Sequence, residues 1–181
     1  KPILTIVKTV VAQIDVLETI TPLNFLAFRD RLESGSGFQS HQFRAIEFVL
    51  GKKARPSFER YPAGSAHRKI VEDRFAQPTL WDAFLHYVNA NGYKVPQEQL
   101  RRDVTLPLEP SPEVQKILID VYRKNPTVAQ IAERLVDLDE GFMEWRYRHV
   151  KMVQRTIGTK MGTGGSAGAE YLMKTLNQPA F

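Results

Sequence analysis

The chain has 181 residues, 43% of them hydrophobic and 25% charged, with a formal net charge of +5; that is about one globular domain, long enough to bury a continuous core. There is no cysteine, which excludes disulfides, thiolate zinc sites, iron–sulfur clusters and thiol nucleophiles and fits a reducing, cytoplasmic setting. No apolar run approaches the roughly 18 residues needed to cross a bilayer, and no signal-peptide pattern opens the chain, so no membrane partner is expected.

Taken in order, Ile3, Ile6, Val7, Val10, Val11, Ile14 and Leu17 make a helical stripe, so a first helix is expected over Lys1 to Thr19. Its apolar face is already under way at the first residue. Thr21-Pro22 is an N-cap followed by proline at the first helical position, where a missing N–H costs nothing. The second helix is expected over Pro22 to Ser34, with Leu23, Phe25, Leu26, Phe28, Arg29 and Leu32 on adjoining faces, and Ser34-Gly35-Ser36-Gly37 breaks it. A third, Phe38 to Leu50, should end at Gly51 as a C-cap. Lys52 to Gly64 reads as loop. Ser65 to Phe75 and Thr79 to Asn91 read as helices, the second capped by Thr79 and stopped at Gly92. Tyr93 to Pro112 is interrupted by prolines, with one turn near Gln97 to Arg102. Ser111-Pro112 starts a helix to about Arg123. Thr127 to Ile157 is a long helix with a soft spot at Asp139-Glu140-Gly141, and Gly168 to Leu176 is a short last one. No segment alternates as a strand does and nothing repeats. The expected fold is all-α, one domain over residues 1–181.

At about 3.6 residues per turn, Trp145, His149 and Met152 share one stripe of the long helix. An aromatic, an imidazole and a thioether on one face suit a packed core, or a flat apolar cofactor whose metal needs one axial ligand. Spacing alone favours the core. Around them Arg146, Arg148 and Lys151 have no acidic neighbour after Glu144. A phosphate backbone could meet such a helix, but its aromatics sit at helical spacing and not on strand platforms, so nucleic acid is not expected. Arg29 lies among Phe25, Phe28 and Leu32. It is either a surface arginine with its stem along apolar neighbours or a guanidinium set in an apolar wall to take a carboxylate; the pattern leaves both open. Gly162-Thr163-Gly164-Gly165-Ser166 follows a helix and lacks the lysine of a phosphate loop. It is a linker, or a flap whose amides and Thr163 hydroxyl meet a small ligand. His41, His67 and His86 share no helix turn, so a multi-histidine metal site is not expected, and His41 reads as exposed. Ser36 lies on no strand-to-helix elbow.

Two blocks together resemble a known family. Phe28-Arg29-Asp30 with Ser36-Gly37-Phe38-Gln39-Ser40 and Gln42 to Phe48 is similar to tryptophan 2,3-dioxygenase, and so is Trp145 to Arg155 with Ile157-Gly158 and Gly162 to Ser166. The resemblance covers nearly the whole chain. It implies an all-helical haem b enzyme that inserts both atoms of dioxygen across the indole 2,3-bond of L-tryptophan, giving N-formylkynurenine. It implies His149 as the proximal iron ligand, Trp145 packed beside the porphyrin, and Arg44 as partner of a haem propionate. Arg29 would bind the substrate carboxylate and Thr163 its ammonium and carboxylate end. Phe25, Leu32, Ser36 and Gly37 would line the indole and oxygen side. It also implies a homotetramer, a dimer of dimers.

Three departures stand out. Phe25 occupies a position where members of the family often have tyrosine. The distal histidine of the family comes from a helix that would precede Lys1, and the family continues past Phe181, so an incomplete active site is expected. Two other readings fit the residues: a relative acting on a modified indole or aromatic amino acid in secondary metabolism, and a haem-free helical amino-acid-binding module.

Overall fold

The computed structural model describes residues 2–29, 41–52 and 58–157. These are helical, with no strand among them: α1 (Pro2–Glu18), α2 (Pro22–Arg29), α3 (His41–Val49), α4 (Ala66–Phe75), α5 (Leu80–Ala90), α6 (Gln97–Leu100), α7 (Pro112–Lys124) and α8 (Pro126–Ile157). The all-α expectation holds. A 3-10 turn, Phe58–Arg60, stands in the stretch expected to be loop. The expected extension of α2 to Ser34, the start of α3 at Phe38 and the last helix at Gly168 to Leu176 lie outside the described residues.

Side chains and glycines set many helix ends, among them the expected Thr21, Gly51, Thr79, Gly92 and Ser111. Thr21 Oγ1 accepts from Asn24 N–H at 3.3 Å, Ser65 caps α4 and Ser111 caps α7. Thr79 and Asp82 form a reciprocal capping box on α5, each satisfying a donor the first turn leaves over. Asn125 closes α7 and opens α8, its side-chain oxygen accepting from Val128 N–H at 3.2 Å, with Pro126 next in line. At the C-terminus of α3, Gly51 at φ 100° lets Lys52 N–H reach Glu47 C=O at 2.9 Å. Gly92, at φ 92°, does the same for α5. Both are left-handed positions that glycine adopts without a Cβ penalty.

By packing, the chain divides into two compact units, residues 1–39 with 136–179 and residues 40–135 with 180–181. In the second, Phe84, Leu85 and Val88 of α5 are buried with Val114 and Val121 of α7 and with Val128, Ala129 and Ala132 of α8. Each fully buried valine or leucine there contributes about 1.5–3 kcal/mol. Phe48 of α3, Phe75 of α4 and Phe58 meet edge to face, with centroids 5.1 and 5.5 Å apart, the geometry ring quadrupoles favour. Asp82 is buried under α5 and takes Arg102 through two bonds, 2.6 and 3.0 Å. That pair ties the proline-interrupted stretch after α6 back to the core.

In the first unit, α1 buries Val7, Val11 and Ile14, while α8 buries Leu138 and Val150. The helices touch where α8 carries Gly141: a Cβ built there would lie 2.7 Å from Val7 Cγ1. The expected soft spot at Asp139-Glu140-Gly141 is therefore unbroken helix. The missing side chain serves close approach, not a kink.

Candidate functional site

The site is built on α8. Its capped start fixes the helix, and about five turns later it presents Trp145 and His149, one turn apart. The imidazole and indole lie parallel, with an interplanar angle of 0° and centroids 5.3 Å apart. His149 Nδ1 is shielded from solvent. Burial pushes the imidazole down to about 4 from its ordinary 6.5, because a low-dielectric setting disfavours the charged form. At neutral pH the ring is therefore neutral.

That protonation state is the one a metal accepts. Among the described residues no three of His, Cys, Asp and Glu gather closely enough to cage an ion. An iron already held by a porphyrin needs one axial imidazole only, and a flat aromatic beside that imidazole suits a flat apolar macrocycle. The residues present fit a haem.

The basic residues around His149 correct the sequence reading. Arg148, expected to have no acidic partner, reaches Asp15 and Glu18 of α1, the second through Oε1 at 3.3 Å, and donates to Val11 C=O at 3.4 Å. Arg155 donates to Glu18 C=O at 2.8 Å. Arg146 is 3% exposed, its guanidinium 3.9 Å from Met143 Sδ. Lys151 sits over the Tyr147 ring at 5.6 Å. Two of these cations are thus tied to α1, one is buried, and the exposed Lys151 lies against an aromatic of its own helix. The acids were invisible because they stand some 130 positions away in the chain. The one available signal was Asp15 and Glu18 at helical spacing on the end of α1.

Of the expected substrate and cofactor residues, Phe25 is half-buried on α2. Arg44 on α3 is engaged by Glu47 at 2.6 Å. Arg29 is the last residue of α2; its side chain, like Leu32, Ser36, Gly37 and Thr163, lies outside the described residues. His41 departs from expectation: it is half-buried and stacks on His67, with centroids 3.9 Å apart and planes 13° from parallel. Sequence reasoning also missed a cleft of about 430 Å³ between α1 and α8, lined by apolar residues such as Val7 and Val11 together with four carboxylates and the cations Lys8 and Arg148. Neither Trp145 nor His149 lines it. No helix among the described residues is long and apolar enough to cross a membrane.

The sequence profile described as tryptophan 2,3-dioxygenase matches residues 1–96 and 113–180. The chain is 62% identical over 174 residues to the tryptophan 2,3-dioxygenase of Herpetosiphon aurantiacus, which spans 96% of this chain and 66% of that protein. It is 51% identical to that of an Anaeromyxobacter species, over 100% of this chain and 68% of the relative. With the enzyme of Bacillus thuringiensis it shares 37% identity, over 92% of this chain and 61% of the relative. The chain thus spans about two thirds of the length of these curated relatives.

Proposed function

This chain belongs to the tryptophan 2,3-dioxygenase family, and on that premise we propose that it works in adding both atoms of dioxygen across the indole 2,3-bond of L-tryptophan to give N-formylkynurenine. The observation that carries the reading is the half-buried His149, its pKa lowered by burial, lying parallel to Trp145 on one helix. We read the two units, both of which include part of α8, as one domain.

His149 would hold the iron of haem b from one side, with Trp145 beside it and Arg44 toward a propionate. The haem, when bound, supplies the one-electron chemistry that lets ground-state dioxygen react with a closed-shell indole. The protein's share is orientation and dryness. Arg29 would grip the substrate carboxylate through two parallel hydrogen bonds, a contact worth about 1.5–3 kcal/mol net. Thr163 would meet the ammonium and carboxylate end, so the part common to all amino acids is fixed first. Phe25, Leu32, Ser36 and Gly37 would then shape the space for the indole and for oxygen and so set selectivity. Phe25 offers a ring edge but no hydroxyl to the carboxylate. We place the working protein in the cytoplasm, as a homotetramer built as a dimer of dimers.

The test is product formation. The haem-loaded protein is supplied with L-tryptophan and isotopically heavy dioxygen, and the product is analysed by mass spectrometry. N-formylkynurenine carrying two heavy oxygens is expected. Haem binding with no turnover of tryptophan, by a protein that also carries the distal-histidine segment, would point to another aromatic substrate, and failure to bind haem would overturn the reading.

A further inference from the structure

We propose that Trp145 is a positioning residue for His149: its indole fixes the plane of the imidazole before any metal is bound. This rests on the haem reading above. The geometry is local to one helix. Side chains on a helix lean toward its N-terminus, so the His149 ring comes to lie over the turn that carries Trp145. There the two rings are parallel, at 0° and 5.3 Å between centroids, an offset stack within the range such pairs favour. The torsion that turns an imidazole about its Cβ–Cγ bond is broad and roughly two-fold, so histidine itself selects its ring plane only loosely. A large flat neighbour does select one. Nδ1 is shielded from solvent as well. A ligand held in one orientation loses less freedom on coordinating and keeps its lone pair aligned with the metal. Packing beside a porphyrin would ask only for bulk at position 145. Orienting the ligand asks for a flat face, and the two demands separate by experiment.

The readout is the iron–histidine stretching band in the resonance Raman spectrum of the ferrous haem-loaded protein, compared among the parent, Trp145→Leu and Trp145→Phe. With leucine the band should shift and broaden, and haem dissociation should quicken about tenfold, the scale of losing an outer-shell partner of a metal ligand. Phenylalanine, with a smaller face, should fall between leucine and the parent. If both variants keep the parental band, Trp145 is bulk only and the inference is overturned, even if haem affinity falls. If the leucine variant does not fold, phenylalanine decides alone: a displaced band supports the inference and a parental one overturns it. A parent with haem bound but no iron–histidine band overturns the haem ligation by His149, and this inference with it, whatever the variants do.

Discussion

At the scale of single residues, Asp82 shows how a buried charge is kept. Burial drives its carboxyl up, but the hydrogen bond from Arg102, the Thr79 backbone and side-chain bonds, and the charge of Arg102 outweigh that and leave it below its ordinary 3.8. A carboxylate depressed in the folded state contributes stability that is present above its unfolded pKa and fades as pH falls through the folded one. Asp82→Asn should therefore destabilise the protein by about 1.5–3 kcal/mol at neutral pH, since it takes the charged partner from the half-buried Arg102 and leaves it the Asp103 and Leu106 carbonyls. Urea melts of the two proteins should converge as pH drops below about 4; a gap that stays constant down to pH ~3 would refute the assignment. The Thr79–Asp82 box was legible as a threonine followed three positions later by an acid. Arg102 was not, because a pair separated by 20 positions leaves no periodic mark. Arg29 belongs at this scale too. Arg29→Ala should weaken tryptophan binding by about 2–3 kcal/mol while the Soret band is retained; an unchanged apparent affinity would remove Arg29 from the carboxylate.

At the scale of elements, the contact of α1 with α8 is set by one absent side chain. Alanine has a helix propensity about 1 kcal/mol better than glycine, so on local grounds Gly141→Ala should stabilise. The new methyl would lie 2.7 Å from Val7 Cγ1, and such overpacking costs about 1–3 kcal/mol. The packing term wins, and a net loss is expected. Val7→Ala made together with Gly141→Ala should recover part of it, so a double-mutant cycle of thermal melts should give a favourable coupling. Additive changes would mean that the helices do not meet there. Reading the sequence placed α1 and α8 within a residue or two because their stripes and caps are local. It took Gly141 for weakness because propensity is local while the reason for a glycine in mid-helix is the helix beside it.

At the scale of the whole molecule, what was legible was what repeats or what clusters in sequence. The helix order, the caps and the two blocks of family-like residues were all visible. The long-range partners were not: Asp15 and Glu18 for Arg148, His67 for His41, Val7 for Gly141. Each needs two distant segments at once, and only the fold supplies that. The functional claim nevertheless comes down to one ring on α8, half-buried, neutral and held parallel to an indole. The most direct test is the optical spectrum of the protein reconstituted with haemin, read for the parent, for His149→Ala, and for that variant with free imidazole added. The account predicts a histidine-ligated Soret band in the parent, its loss or displacement in the variant, and its return with imidazole. A variant spectrum indistinguishable from the parent's, with no response to imidazole, would contradict it.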